Sequence, residues 1–361
     1  MPKWELERLD TLFADGVSHV AFPRLTKWRE RYWVAFRRGS GHRSPDGHIC
    51  VMSSPDLVHW SEPQSVIATG ADDRDPSLFA WRDRLFVTSA SFEREWLDCE
   101  NPWAGLKDER GVRTHVVWSD DGATWSQPVA VYEPDHFVWW PIVVGDRLYA
   151  STRLRRVRVQ EGREVKRYAA KLATSEDGVD WHTVSVISEE RLGSETALAA
   201  LPDQSLLAFV RHDEKGALSH PELKLSRPPY THWQKLYDFS YQTNGPGIAT
   251  IGSQVLLAAR AFFEDPGTPL VTPELRAKKR GLLVWSFDPQ GERAEPRPEL
   301  MLPHEPPPYP PNTTTAAGRG PDVGYPSLLD LGGGRLALCW YDGFKDGPTA
   351  LRLAWLRQKE F

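Results

Sequence analysis

Four arginines stand at the same place in a repeated pattern, each at the end of a short apolar strand. They are Arg37, Arg153, Arg211 and Arg260. The planar fork of a guanidinium group matches the two oxygens of a carboxylate, whereas a lysine ammonium offers only a point charge. Because a ring of cations stabilises a hydrophobic core poorly but holds an anion well, the repetition predicts an anion-binding site around one axis.

The arginines belong to a hairpin that recurs six times along the chain. Its copies span residues 22–37, 75–90, 140–153, 195–211, 245–260 and 325–341. Apolar runs of this length between turn signals are typical of buried strands, and a repeat of about 50 to 80 residues indicates a propeller or solenoid. A third and a fourth strand follow every hairpin except the last. The sequence therefore predicts an all-β fold, a six-bladed β-propeller of four-stranded antiparallel blades.

The sixth blade is short of one strand, because only Gln358 to Phe361 remain after the segment 352–357. The N-terminal segment 4–13 can supply the missing strand and close the ring. One propeller then accounts for residues 1–361 as a single domain.

The geometry of a blade gathers particular residues at one mouth of the central channel. The inner strand begins and the second strand ends at the same rim, since the two are antiparallel. The inner strands begin at Phe22, Asp75, Trp140, Glu195, Gly245 and Tyr325. Long loops are expected at this mouth, where binding sites commonly lie; they are the segments 91–112, 154–168, 261–279 and 303–324.

Composition excludes several classes of function. A formal net charge of −5 argues against a nucleic-acid surface. No run of 18 apolar residues is present, so no membrane span is expected, and the N-terminus lacks the pattern of a signal peptide, which favours a cytoplasmic protein. Cys50, Cys99 and Cys339 are expected to be free thiols. The sequence gives no indication of the oligomeric state.

Three turns in the chain share a pattern of Ser, Asp and Trp. SDDGATW (119–125) and SEDGVDW (175–181), with SPDLVHW (54–60) as a degenerate copy, resemble the Asp boxes, or BNR repeats, of the sialidase superfamily. They are one residue shorter than the usual pattern of that family. The resemblance implies that these turns are structural and lie at the rim opposite the active site, so their aspartates are not catalytic candidates.

The resemblance to sialidases extends over essentially the whole chain and is most specific at three places. Segment 194–211 is similar to the sialidase segment in which a Glu precedes an Arg of the carboxylate-binding triad; here these are Glu195 and Arg211. Segment 324–343 resembles the last segment of the family, where Tyr325 opens the inner strand. The loop 39–49 carries Asp46 where sialidases place their acid/base aspartate.

This likeness implies a specific chemistry for an acidic sugar. Tyr325 would be the nucleophile, Glu195 its base, and Asp46 the acid that protonates the leaving oxygen and later activates water. A neutral tyrosine is not repelled by the substrate carboxylate, which is why sialidases depart from the two-carboxylate pattern of glycosidases. No cofactor or metal is expected, and the histidines show no metal-ligand spacing.

One departure from the family concerns the anion clamp. Where sialidases carry the first arginine of the triad this chain has Ala21, with Arg24 close by. The predicted clamp is Arg37, Arg211 and Arg260, with Arg74 and Arg280 as substitutes. Further candidate contacts are His42 and Asp75, the latter with sugar hydroxyls or in a salt bridge with Arg74. Arg153 is either part of the ring or solvated.

Two functions of different classes remain open. The first is an exo-glycosidase of sialidase type that removes a terminal sialic acid or a related ulosonic or uronic acid. The second is a catalytically silent propeller that binds acidic glycans or a protein partner through the same mouth. The joint presence of Asp46, Glu195 and Tyr325 favours the enzyme. Alternatives for these residues are a buried Tyr–Glu hydrogen bond that plugs the channel and an ordinary turn role for Asp46.

Overall fold

A computed structural model describes residues 3–92, 111–160, 163–214, 219–252, 254–262, 280–289, 295–304, 321–344 and 347–359. Over these ranges the chain forms 24 strands in six antiparallel sheets of four. Helical structure is a minor element, as in the short 3-10 turn Glu190–Leu192. None of the described helical residues form a helix that is long and apolar enough to cross a membrane.

The first three blades follow one another along the chain. Blade 1 consists of β2 (His19–Trp28), β3 (Arg31–Gly39), β4 (His48–Ser54) and β5 (Gln64–Ile67). Blade 2 consists of β6 (Asp72–Trp81), β7 (Arg84–Phe92), β8 (Val112–Ser119) and β9 (Val129–Val131). Blade 3 consists of β10 (His136–Val144), β11 (Arg147–Gln160), β12 (Arg163–Ser175) and β13 (Trp181–Ser188).

The last three blades continue this order. Blade 4 consists of β14 (Gly193–Ala200), β15 (Leu206–His212), β16 (Glu222–Ser226) and β17 (Gln234–Asp238). Blade 5 consists of β18 (Thr243–Ile251), β19 (Gln254–Phe262), β20 (Arg280–Phe287) and β21 (Arg297–Pro303). Blade 6 consists of β22 (Pro321–Gly332), β23 (Arg335–Phe344), β24 (Thr349–Gln358) and the N-terminal strand β1 (Trp4–Phe13).

The six sheets form a closed ring. Each inner strand packs on the inner strand of the next blade, from β2 through β6, β10, β14 and β18 to β22, and β22 packs on β2. Strand β1 pairs antiparallel with β24, from Trp4 opposite Gln358 to Phe13 opposite Leu351. The predictions of a six-bladed propeller and of closure by the N-terminal strand are both confirmed.

Large aromatic side chains fill the space between the blades. Trp4, Trp139, Trp285 and Trp340 are among the largest fully buried side chains. The second strands are buried on both faces, as in Leu206–Val210, so their sequences read as continuous apolar runs. Cys50 and Cys339 are buried free thiols, as expected, whereas Cys99 lies outside the described residues.

The Ser-Asp-Trp turns join the third and fourth strands and hold themselves together by side-chain hydrogen bonds. Asp121 Oδ1 accepts the backbone N–H groups of Ala123 and Thr124 at 2.8 and 2.7 Å, and Ser119 Oγ donates to the same carboxylate at 3.0 Å. These bonds lower the pKa of Asp121 to about 2, the backbone N–H of Thr124 contributing most. Asp56 and Asp177 accept equivalent bonds. The expected capping role of these residues is confirmed.

One expected loop is instead a strand hairpin. Segment 154–168 continues β11 and β12, with Arg155 opposite Tyr168 and Gln160 opposite Arg163. The alternation of Arg and Val in 156–159 is the period of a strand, so the prediction of a loop between the second and third strands was wrong here. Most of the other expected loops fall on 93–110, 263–279 and 305–320, outside the described residues, as does the side chain of Arg280.

We predict that Trp4→Ala lowers the free energy of unfolding by about 3–5 kcal/mol, as for other buried aromatic side chains. Trp4 is 1% exposed, and its backbone N–H donates to Glu299 of blade 5 at 3.2 Å, so β1 ties blade 6 to its neighbour. Leu6→Ala on the same strand is the control, since Leu6 is 40% exposed and its loss should cost no more than about 0.5 kcal/mol. Urea unfolding followed by circular dichroism measures both, and equal effects would mean that β1 contributes little to closure.

Candidate active site

The inner strands depart from regular pairing close to where they begin, at the predicted mouth. The pairing register shifts between Ala21 and Arg24 in β2 and at the matching place in β6, β18 and β22, and it shifts close to this place in β10 and β14. In four blades the residue before the proline has a positive φ: Phe22 (59°), Asp75 (47°), Gly245 (59°) and Tyr325 (54°). Residues other than glycine seldom adopt this conformation, and a bulge of this kind re-aims the side chain it carries.

Two of the re-aimed side chains, Asp75 and Tyr325, face a cavity of about 320 Å³ at this mouth. All six blades contribute to its wall, which therefore depends on the closed ring. Its lining residues are His42, Arg43, Asp72, Arg74, Asp75, Phe92, Arg153, Arg155, Lys166, Tyr168, Glu195, Arg211, Asp213, Arg260 and Tyr325.

The cavity concentrates positive charge in a protein whose net charge is negative. Seven of its lining side chains are cationic and four are carboxylates. In addition, the Nε–H groups of four lining arginines are buried without a hydrogen-bond acceptor among the residues that the structure describes: Arg74, Arg153, Arg211 and Arg260. Unmade hydrogen bonds of buried charged groups are costly, and such a cost is typical of a site that is built for a ligand. The arrangement suits an anion.

Tyr325 and Glu195 meet in this cavity, as predicted for the pair. The Tyr325 hydroxyl donates a hydrogen bond to Glu195 Oε1 at 2.8 Å. Burial raises the pKa of Tyr325, and the charge of Glu195 raises it further. Phe22 packs edge-on against the tyrosine ring at a centroid distance of 4.7 Å. A neutral phenol is thus held against a carboxylate that can receive its proton.

Glu195 is ionised because two arginines hold it. Burial alone would raise the pKa of Glu195, but the charges of Arg211 and Arg153 outweigh burial and lower it. Arg211 bridges Glu195 and Asp213 with N···O distances of 2.5 and 2.7 Å, and Arg153 bridges the same two carboxylates at 3.3 and 2.5 Å. Two guanidinium groups and two carboxylates therefore form one buried ionic network, and Arg153 is part of the site rather than a solvated residue.

Asp75 is another buried carboxyl group in the cavity, and its pKa is shifted in the direction opposite to that of Glu195. It is 6% exposed, and its buried Oδ1 atom has no hydrogen-bond partner among the described residues. Burial raises the pKa of Asp75; Arg74 opposes the shift and Glu195 adds to it. Glu195 is thus held ionised, whereas Asp75 is held closer to its neutral form.

His42 contacts the cavity from the loop of blade 1 and is oriented by Asp322. Its Nδ1 lies 2.6 Å from Asp322 Oδ2, while Arg74 Nη2 donates to its Nε2 at 3.3 Å. Burial lowers the pKa of His42 to about 3, so the ring is neutral, with its proton on Nδ1. Tyr341 also donates to Asp322, at 2.8 Å.

The side chains around Asp322 could in principle bind a metal ion, and their hydrogen bonds show whether they fit one. His19, His42 and Asp322 offer three ligand atoms within 4.8 Å of one another. Asp322 already accepts hydrogen bonds from both histidines, and the guanidinium group of Arg74 contacts His42. A cation would have to displace these bonds beside a positive charge. The cluster fits a hydrogen-bonded support better than a metal site.

Two sequence-predicted residues are not brought to the cavity. Arg37 is 0% exposed; its Nε and Nη2 donate to Asp72 Oδ1 at 2.9 and 2.6 Å, and its Nη1 donates to Gly41 O at 2.8 Å. It therefore joins blades 1 and 2 and is not available to a clamp. Asp46 is exposed and accepts hydrogen bonds from Ser40 N and Oγ at 3.1 and 2.9 Å, so it closes its own turn.

The remaining predicted residues are brought together, and several others were missed. The cavity contains His42, Arg74, Asp75, Glu195, Arg211, Arg260 and Tyr325 from the prediction. Reasoning from the sequence missed Arg43, Asp72, Arg155, Lys166, Tyr168 and Asp213. The period of a strand could have found two of these, because Arg155 and Asp213 lie two residues beyond Arg153 and Arg211 and so share their faces. Arg24 does not line the cavity; its guanidinium carbon lies 3.8 Å from the ring centroid of Trp140, near enough to Asp75 and Glu195 for their charges to act on it.

We predict that Arg37→Met lowers the free energy of unfolding by about 3–5 kcal/mol, because it leaves Asp72 buried and unpaired. Arg29→Met is the matched control: its ion pair with Asp83 is solvent-exposed, so its loss should have little effect on stability. The double variant Arg37→Met/Asp72→Asn should recover part of the loss. Urea denaturation measures all three, and a small effect at Arg37 would contradict a structural role.

The opposite pKa shifts of Asp75 and Asp46 predict opposite effects of pH on stability. The folded-state pKa of Asp75 is raised, so its contribution to stability is present below the ordinary pKa of 3.8 and is lost as pH rises through the folded value. Hydrogen bonds from Ser44 and Ser40 outweigh burial and lower the pKa of Asp46, so its contribution is lost as pH falls. Relative to wild type, the Tm of Asp75→Asn should increase as pH rises above about 4, whereas the Tm of Asp46→Asn should decrease as pH rises through the range below about 4. If thermal melts show that the Tm of both variants, relative to wild type, changes with pH in the same direction, the opposite pKa shifts are contradicted.

Comparison with known proteins supports the fold. Neither protein-family models nor curated protein sequences gave a match. Among solved structures, a protein of unknown function from Dyadobacter fermentans DSM 18053 has a TM-score of 0.73 at 16% identity, covering 99% of this chain and 100% of that one. Trypanosoma rangeli sialidase in complex with sialic acid has a TM-score of 0.62 at 14% identity, covering 99% of this chain and 59% of the sialidase.

Hadza microbial sialidase Hz136 gives a similar result, with a TM-score of 0.59 at 14% identity over 92% of this chain and 65% of the sialidase. The chain thus spans less than two thirds of the length of either of these sialidases. What the three structures share with it is a propeller, and the chain has the fold of the sialidase propellers.

Proposed function

We propose that the protein is a glycoside hydrolase of sialidase type that removes a terminal acidic sugar, with Tyr325 as the nucleophile. The sugar would be sialic acid or a related ulosonic or uronic acid. The observation that carries the proposal is the hydrogen bond from the Tyr325 hydroxyl to Glu195, 2.8 Å long, inside a cationic cavity. One protein with the same fold is a sialidase bound to sialic acid, which supports an acidic sugar as the ligand.

Two steps would account for the reaction. In the first, Tyr325 Oη attacks the anomeric carbon, its proton passes to Glu195, and the bond to the leaving oxygen breaks as a separate acid gives that oxygen a proton. In the second, water attacks the same carbon and gives a proton to that same group, now a base, while the bond to Tyr325 breaks and the phenol regains its proton from Glu195. Splitting the displacement in this way lowers the barrier of each step, and a neutral nucleophile avoids repulsion by the substrate carboxylate.

The substrate carboxylate would be bound by the arginines of the cavity. Arg211 and Arg260, the two predicted clamp residues that line it, are joined by Arg74. Each has a buried Nε–H without an acceptor. The seven cationic side chains and four carboxylates of the lining leave more positive charge than one substrate carboxylate neutralises. The site therefore also tolerates a second anionic group on the ligand.

A binding protein without catalytic activity is the second candidate. Arg211 and Arg153 lower the pKa of Glu195, and a carboxylate that two guanidinium groups hold is a weaker base for Tyr325. In such a protein the same cavity would bind acidic glycans or an acidic protein segment, and the hydrogen bond between Tyr325 and Glu195 would serve only to fix the wall of the cavity.

We predict that wild-type protein hydrolyses at least one member of a panel of aryl glycosides of sialic acid, KDN, Kdo and uronic acids. Tyr325→Phe should lower kcat by at least about 10³-fold, since it removes the nucleophile. Tyr168→Phe is the matched control, because Tyr168 lines the same cavity without being hydrogen-bonded to Glu195 in the described contacts; its effect should be within about tenfold. Release of the aryl alcohol is measured by absorbance.

Two results would contradict the hydrolase. One is full activity of Tyr325→Phe, and the other is no turnover of any substrate by wild type. In the second case calorimetry with the free sugar acids separates the candidates: binding that Arg260→Met weakens would establish the silent binding protein.

A further inference from the structure

We infer that Asp75, not Asp46, is the acid/base residue that protonates the leaving oxygen and then activates water. The inference rests on the proposed hydrolase function and assigns the one role that the described geometry leaves unfilled. Tyr325 and Glu195 together move a single proton between themselves, so the leaving oxygen needs a donor of its own.

Asp46 is poorly placed for this role. It is not among the described residues that line the cavity, and its carboxylate accepts two hydrogen bonds from Ser40 within its own turn. Hydrogen bonds also hold its pKa below the ordinary range, so it carries no proton at neutral pH.

Asp75 has the placement that Asp46 lacks. It lines the cavity together with Tyr325 and Glu195, and its buried Oδ1 has no hydrogen-bond partner within the described part of the chain. Its position in β6 matches that of Tyr325 in β22. Each residue has a positive φ, lies in a bulge and directly precedes a proline. Strained backbone of this kind is kept where the surrounding structure requires a particular side-chain direction. Blades 2 and 6, which carry the two residues, flank blade 1 on either side.

The charges around Asp75 favour a proton carrier. The groups that act on it are Arg74, Glu195, Arg153 and Arg24, and Tyr325 lies within the range of its charge. Burial and Glu195 raise the pKa of Asp75, whereas Arg211 and Arg153 lower that of Glu195. Two neighbouring carboxyl groups whose pKa values are driven apart can divide acid and base roles between them.

His42 is another titratable residue of the cavity wall. Its pKa, lowered to about 3 by burial, leaves the ring neutral, and its Nε2 accepts a hydrogen bond from Arg74. Its only proton is directed to Asp322. His42 therefore orients Arg74 and has no proton to give to a leaving oxygen.

The proton balance is complete with Asp75. In the first step its carboxyl proton passes to the leaving oxygen as the glycosidic bond breaks, while the proton of Tyr325 passes to Glu195. In the second step the Asp75 carboxylate takes a proton from the attacking water, and Glu195 returns its proton to the phenolate as the bond between Tyr325 and the sugar breaks. Asp75, Glu195 and Tyr325 all end in their starting states.

We predict that Asp75→Asn discriminates between leaving groups. For a methyl or sugar aglycone, which needs protonation, kcat/KM should fall about 10²- to 10⁴-fold. For a 4-nitrophenyl aglycone, which leaves without a proton, kcat/KM should fall less than about tenfold. The limb of the pH profile that reports the acid should disappear, and added azide should yield a glycosyl azide from the 4-nitrophenyl substrate. A folded variant is required for that product, so its formation also excludes misfolding.

The same substrates applied to Asp46→Asn and His42→Gln test the competing assignments. If either variant shows dependence on the leaving group and Asp75→Asn does not, the inference is wrong. It is also wrong if Asp75→Asn lowers kcat/KM equally for both aglycones while Tyr325→Phe abolishes activity, since the hydrolase then stands and only the role of Asp75 fails. Inactive wild-type protein would overturn the hydrolase and this role together.

Discussion

The ionic network of Glu195, Arg153, Arg211 and Asp213 is the interaction on which the site depends. A buried carboxylate is costly unless it is paired, and both oxygens of Glu195 are held by guanidinium groups. The network lies within blades 3 and 4, whereas Tyr325 comes from blade 6. The hydrogen bond between Tyr325 and Glu195 therefore spans the channel and exists only because the ring closes. Strand β1 completes blade 6 and so contributes to the site without touching it.

Backbone geometry at the mouth explains why these side chains meet. A regular antiparallel inner strand would send alternate residues to opposite faces, but bulges at Pro76 of blade 2 and Pro326 of blade 6 turn the preceding residues, Asp75 and Tyr325, toward the channel. The positive φ of these residues is unfavourable. Six blades packed around one axis supply the rigidity that maintains it, and the aromatic side chains buried between the blades stabilise that packing.

The fold was predictable from the sequence because its signals are local. Six hairpins, their turns and the missing sixth outer strand are all visible as runs of apolar and turn residues. The Tyr325–Glu195 pair was predictable from register and family resemblance. Arg37 occupies the same register as Arg211, yet its ion-pair partner Asp72 belongs to the next blade. A pairing between residues of different blades cannot be predicted from a local sequence pattern. Asp46 likewise sits in the expected loop, but the direction of its side chain is set by Ser40 within the turn.

The electrostatics of the site also bear on how binding and chemistry would be linked in the proposed reaction. Without an anion in the cavity, Arg211 directs its charge to Glu195 and Asp213, which keeps Glu195 a weak base. A substrate carboxylate that pairs with Arg211 takes part of that charge, so the pKa of Glu195 rises. The carboxylate also adds negative charge near Asp75 and favours its protonated form. An acidic substrate would then strengthen both the base for Tyr325 and the acid for the leaving oxygen, whereas a neutral sugar would do neither.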